Sequence, residues 1–298
     1  MNGLTLDAPH NLVFSIARRG NVAVALGETP GPAHGNPRPT IWRSTDGRTW
    51  DEVPTLREDF GGPLLTDLRA VAAGATGFAV VGNWKANDGT PIIAVWLSTD
   101  GLHWTREDHV PELSSHNGEE LTATGIAAGP TGLVIVGETF APTPTQPALV
   151  DGFIATSPDG KVWRRLTAGS AGLDNGGQVA IRQVTAEGNS FLAIGTRAVG
   201  PHNEVAAWQP GPGATWGFTT IAAVGFVKGM AVTTDGNKAW AAVIDDGAVR
   251  IWATSGRGHW RPIGAPTVGG ADDVHLGATG GRLVLAVEVA GRAALWWG

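Results

Sequence analysis

The stretch IWRSTDGRTW, residues 41–50, reads as an apolar strand running into a tight turn, and nearly the same string returns as VWLSTDGLHW at residues 95–104. A third copy, FIATSPDGKVW, ends at Trp163, and two degraded copies, PGPGATW and TSGRGHW, end at Trp216 and Trp260. The closing tryptophans are spaced by 54, 59, 53 and 44 residues. Eight residues before them stand Trp42, Trp96, Ala155, Trp208 and Trp252, so four of the five copies keep two tryptophans in one frame across the turn. A period of this length marks a repeat architecture.

Working outward, each phrase follows a second repeated unit of two short apolar runs broken by a glycine turn. The copies are VFSIARRGNVAVALG, LRAVAAGATGFAVVG, ATGIAAGPTGLVIVG, IRQVTAEGNSFLAIG, KGMAVTTDGNKAWAAV and VHLGATGGRLVLAV. Runs of four to seven residues rich in Val, Ile, Ala and Phe, bounded by Gly or Asp-Gly, are strands joined by hairpins. No stretch keeps a helical period. Each unit therefore reads as four antiparallel strands, and radial repetition of such units makes a β-propeller. The expectation is one all-β domain over 1–298, a six-bladed β-propeller of four-stranded antiparallel blades near residues 10–55, 66–108, 121–168, 179–220, 226–264 and 272–298. The sixth copy stops at Gly298, and the missing strand is expected from residues 3–7 of the N-terminal NGLTLD, which would close the ring.

Composition agrees with a folded domain. The 298 residues are 42% hydrophobic and 16% charged, enough to bury a large core, and the net charge of −6 gives no basic stripe for nucleic acid. With no cysteine there are no disulfides and no thiolate chemistry, which suits a reducing compartment and is compatible with secretion. The opening MNGLTLDAPHNLVFSIARRG has no leader-like apolar run, and no window reaches the length of a membrane span, which favours a soluble, cytoplasmic chain.

The phrase S-x-D-G-x-x-W at residues 44–50, 98–104 and 157–163 resembles the Asp-box, or bacterial neuraminidase repeat, of sialidase-like propellers; residues 210–216 and 254–260 are worn versions of it. The resemblance implies a sialidase-like fold. In it Asp46, Asp100 and Asp159 accept backbone N–H bonds within the turn, Gly47, Gly101 and Gly160 take positive φ, and the tryptophan packs between sheets. Those are structural duties. Sialidase activity is disfavoured, because that family's tyrosine nucleophile has no counterpart in a chain without tyrosine, and its Arg-Ile-Pro motif near the start is missing.

Candidate site residues come from the opposite end of the blades, where the longer connections lie. With Ile16, Val71, Ile126, Val184, Met230 and Leu276 set equivalent, the residues two earlier are Phe14, Arg69, Thr124, Arg182, Lys228 and Val274, of which three are basic. Arg69, Arg182 and Lys228 are expected to form a cationic ring at the channel mouth, faced by Glu28, Asn83, Glu138, Thr196, Asp245 and Glu288. A competing reading has these charges neutralise each other and hold neighbouring blades. Long loops in the first three blades carry Phe60, Trp84, His116 and Phe140 as stacking faces, with loop packing as the competing reading, and His275 adjoins the mouth. The histidines show no ligand spacing, no phosphate loop or G-x-S-x-G elbow occurs, and no metal or cofactor is expected.

Three functions follow. The first is non-catalytic binding of a polar small molecule, most naturally a carbohydrate, through Arg69, Arg182, Lys228, Asn83, Trp84 and His275. The second is a glycan-active hydrolase or lyase using Glu28 or Glu138 as acid or base, with the arginines holding a carboxylate. The third is a protein-interaction scaffold.

Overall fold

A computed structural model describes residues 12–30, 37–54, 60, 64–107, 109–116, 118–143, 146–167, 173, 177–212, 215–236, 238–256 and 258–298. The chain folds as a six-bladed β-propeller of antiparallel meanders. Two compact units make it up, the first of Met1–Ile135, Thr139–Ala148 and Ala155–Arg165, the second of Val136–Glu138, Leu149–Ile154 and Leu166–Gly298.

In the first unit one sheet runs β1 (Leu12–Arg19), β2 (Val22–Pro30), β3 (Pro37–Ser44) and β4 (Asp51–Glu52), and the next runs β5 (Leu65–Ala73), β6 (Phe78–Lys85), β7 (Pro91–Ser98) and β8 (Thr105–Glu107). A third sheet, β9 (Glu120–Gly129), β10 (Gly132–Thr143), β11 (Gln146–Ser157) and β12 (Arg164–Thr167), supplies residues to both units. The second unit holds the sheets β13 (Gln178–Glu187), β14 (Ser190–Val199), β15 (His202–Pro210), β16 (Trp216–Val224) and β17 (Val227–Asp235), β18 (Lys238–Asp245), β19 (Ala248–Thr254), β20 (Arg261–Ile263). Its last sheet is β21 (Asp273–Thr279), β22 (Arg282–Val289) and β23 (Arg292–Trp297). That sheet has three strands among the described residues; residues 3–7, expected to complete it, lie outside them. The single helical turn described, Pro111–Leu113, is far too short to cross a membrane, and no described helix is long and apolar enough to do so.

Apolar faces pack sheet on sheet. In the first unit Val24, Leu26 and Ile41 meet Leu68, Val71, Val80 and Trp96. In the second, Leu192 and Ile194 meet Met230 and Val243, while Ile244 and Ile251 meet Val274 and Leu285. The tryptophan frame divides its labour unequally: Trp42, Trp96, Trp208 and Trp252 are buried, and of the turn-closing tryptophans Trp163 and Trp216 are buried while Trp50, Trp104 and Trp260 are only partly so. The expected packing is thus partial at Trp50 and Trp104, although Trp104 lies against the core with its ring edge-on to Phe60. The first tryptophan of each pair sits within the long third strand; Trp50, Trp104 and Trp260 stand one residue before a two- or three-residue outer strand, where less of the blade covers them, whereas Trp216 opens the nine-residue β16.

The segment ETFAPTPTQPALVD, read as a loop, is largely strand, since β10 continues to Thr143 and β11 begins at Gln146. The loop expected between β2 and β3 narrows in the same way, with Pro30 pairing Pro37.

Candidate functional site

The innermost strands begin with a shared irregularity. β1, β5, β13 and β17 each carry a β-bulge, and the extra residues are Phe14, Arg69, Arg182 and Lys228. Three of them are the basic residues singled out by the sequence alignment. A bulge leaves one residue outside the ladder and re-aims its side chain. The partner strand makes the bulge possible: Gly27, Gly82 and Gly195 sit opposite, where a Cβ on Gly82 would lie 2.6 Å from the Asp67 carbonyl oxygen and one on Gly195 would collide with that of Ala180. The glycine ending the VVG and AIG runs is therefore a clearance for backbone.

The fifth sheet solves the same problem in reverse. Met230 pairs Val243 where Val71 pairs Val80 and Val184 pairs Ala193, so the sequence alignment through Met230 holds. The place of Gly82 and Gly195 on the partner strand is taken by Asp245, which pairs Val227, and the glycine stands instead on the bulged strand as Gly229, opposite Ile244. Lys228 is still the bulged residue.

In the second unit the strand starts hold a row of ion pairs. Arg182 Nε reaches Glu138 Oε1 at 2.9 Å, with the arginine side chain 52% exposed and the carboxylate 5% exposed. Arg250 Nη2 reaches the equally buried Asp245 at 3.1 Å, and Asp245 also accepts the Gly225 N–H. Lys228 Nζ donates to Asp272 Oδ1 at 2.6 Å, while Asp272 Oδ2 accepts the Ala290 N–H. The lysine bond is the main reason the Asp272 carboxyl is held below its usual range. His275 Nε2 lies 3.3 Å from Asp273 Oδ2, an interaction that raises the imidazole and lowers the carboxyl. The inner strands β13, β17 and β21 are consecutive neighbours, so these groups share one edge of the unit.

In the first unit Arg69 pairs with Asp67 at 2.8 Å. Asn83 is buried, donates to Asp67 Oδ1 at 2.7 Å and accepts the Ala123 N–H at 2.8 Å, which ties one inner strand to the next. Glu28 is half-buried at the end of β2, as is Thr196 at the end of β14. Trp84 and Phe60, expected as stacking faces, are core: Phe60 stacks on Trp96, Trp84 packs against the edge of Trp96, and Arg106 lies over the Trp84 ring at 4.3 Å. Their large apolar surface is worth more buried than displayed. His116 is exposed and bonded to the Pro111 carbonyl. Among the described residues no group of three or more His, Asp or Glu is arranged to hold a metal.

The other end of the blades carries the S-x-D-G turns, closed on themselves. Asp46 Oδ1 accepts the N–H groups of Arg48 and Thr49 at 2.7 and 2.8 Å, and Ser44 Oγ accepts that of Gly47 at 2.8 Å. Asp100 and Asp159 repeat the pattern with Leu102, His103, Lys161 and Val162. The glycines take φ of 70°, 75° and 81°, open to residues without Cβ. These bonds favour the ionised carboxyl and hold all three aspartates below their usual range, the largest contribution coming from the Thr49 hydroxyl at Asp46 and from the His103 and Val162 N–H groups at Asp100 and Asp159.

The sequence matches no protein-family model and no curated protein sequence. Solved structures do resemble the fold. A Trypanosoma rangeli sialidase aligns over 97% of this chain and 52% of its own length at TM-score 0.55 and 12% identity. The same enzyme in complex with the inhibitor DANA aligns over 84% and 48% at TM-score 0.54 and 13% identity. A structure from a study of two prolyl endopeptidases aligns over 96% and 41% at TM-score 0.53 and 13% identity. The chain thus spans about half the length of the sialidases it resembles, and at these identities the likeness is one of fold.

Proposed function

We propose that the chain binds a polar small molecule, a carbohydrate being the class that suits it best, at the strand-start edge of the second unit, with Arg182, Lys228 and His275 as contacts; Arg69 and Asn83 hold the corresponding place in the first unit. One observation carries this reading: the bulges set basic side chains outside the ladder, and Arg182 and Lys228 remain about half exposed although each is held by a carboxylate. A cation that is oriented yet reachable can donate to hydroxyl or carboxylate oxygens without first being ordered. The fold likeness to sialidases, and the S-x-D-G turns read as Asp-boxes, are in keeping with a glycan ligand.

A glycan array followed by calorimetry on the hits tests it. Lys228→Ala and Arg182→Lys are expected to weaken a hit about tenfold, the size of one lost charged hydrogen bond. An array with no hit, or hits indifferent to both substitutions, overturns the reading. A glycan-active hydrolase or lyase is the second reading, favoured by the buried carboxylates Glu138 and Asp245 facing half-exposed arginines, with Glu28 as the half-buried counterpart in the first unit. Shortened products from an array hit, abolished in Glu138→Gln with binding retained, would establish it in place of the first.

A further inference from the structure

A cavity of about 500 Å³ opens in the first unit at the turn end, away from the strand starts. Four turns enclose it: the inner hairpins Gly74–Gly77 and Gly129–Gly132, and the S-x-D-G turns around Thr99 and Asp159. Its volume falls in the range of small-molecule sites. The two inner hairpins are written GATG and GPTG, and their glycines leave the rim as backbone. Gly77 and Gly132 take φ of 151° and 123°, and a Cβ on either would collide with the carbonyl of Ser98 or Ser157.

The walls are of two kinds. Phe78, Leu97, Pro130 and Leu133 are apolar, while His103, Trp104 and Lys161 carry N–H donors. His103 is anchored through Nδ1 to Asp100 Oδ2 at 2.8 Å, which leaves Nε2 for another partner. Trp104 is the informative residue. Its counterpart Trp163 donates its indole N–H to the Gly160 carbonyl at 2.9 Å, and Trp208 donates to Leu173 at 3.0 Å. The Trp104 Nε1 is buried and has no acceptor among the described residues. A buried donor without an acceptor is costly, and an acceptor brought by a ligand would relieve it.

We infer that this cavity is a binding site for a small monocarboxylate with an apolar body, its carboxylate taken by Trp104 Nε1 and Lys161 and its hydrocarbon laid on Leu97, Leu133 and Pro130. Glu107 and Asp159 also line the cavity, the latter with its carboxylate engaged by its own turn, and disfavour a second negative charge on the ligand. The site stands independently of the carbohydrate reading.

Heteronuclear NMR of the full chain tests it directly, with the Trp104 indole resonance assigned by its loss in Trp104→Phe. Phenylacetate, phenylbutyrate and indole acetate serve as probes, and benzyl alcohol as the neutral control. At least one carboxylate is expected to move the Trp104 indole N–H saturably downfield. Lys161→Glu, an exposed position, should weaken that binding about tenfold, and Lys228→Ala should leave it unchanged. A Trp104 resonance that no carboxylate moves overturns the inference. So does equal affinity in Lys161→Glu, or benzyl alcohol binding as tightly as the acids.

Discussion

The two ends of a blade are built on opposite principles. At the turn end three copies repeat almost atom for atom, and the side-chain bonds of Ser44 and Asp46 are made within three residues. At the strand-start end the bulge repeats, cleared by a glycine opposite at Gly27, Gly82 and Gly195, but the side chain it presents changes from Phe14 to Arg69, Arg182 and Lys228. Repetition of side chain and backbone together signals a fastener. Repetition of backbone alone, with the side chain free to vary, is what a recognition surface on a repeat fold requires.

The sharpest way to break this contrast is at the clearance itself. Gly195→Ala is expected to cost roughly 3 kcal/mol, because its Cβ would collide with backbone, whereas Gly229→Ala meets Ile244 Cδ1 and Asp273 Oδ1 at 3.2 Å and should cost less than about 1 kcal/mol. Urea midpoints decide it; equal losses would mean that the bulge does not depend on the glycine opposite. Next in size is Arg182→Ala. It strands a buried Glu138, but the arginine is half exposed, so the loss should be about 1–2 kcal/mol, against less than about 0.5 kcal/mol for Arg69→Ala beside the more exposed Asp67. Similar melting curves for the two variants would show that the ends of β10 and β5 are held alike. The smallest effect is a pH dependence at the turn end. The carboxyls of Asp46, Asp100 and Asp159 are lowered in the folded chain, so their contribution is complete above the ordinary carboxylate value near 4 and is lost as pH falls below it toward the folded values. Melting temperatures between pH 5 and pH 2 should fall less steeply in the triple Asp→Asn variant than in the parent chain. Parallel curves would remove the turns from the acid response.

Legibility in the sequence followed locality. The turns could be read because their whole chemistry lies in seven consecutive residues, and the paired tryptophans gave the strand period. The ring position could be found by alignment but its cause could not, since a bulge exists only between two strands; the glycine in VVGN and AIGT was its written trace. Trp84 and Phe60 were misread because a polar neighbourhood suggested a loop, while the ring faces were already taken by Trp96. The turn-end cavity has no such trace, because GATG at 74–77 recurs at 277–280, far from it in sequence, and does not single out the blades that frame it.

The self-sufficiency of the S-x-D-G turn also bears on the order of events as the chain folds. Closing a loop of so few residues takes well under a microsecond and needs no neighbour, whereas Glu138 and Arg182 can meet only after two hairpins have formed and docked. Contacts at Asp100 should therefore be present in the folding transition state and those at Arg182 absent from it, so that a substitution at the first slows folding and one at the second hastens unfolding. On a ribosome, each hairpin would be turned and fastened before Arg182 and Lys228 had found their carboxylates.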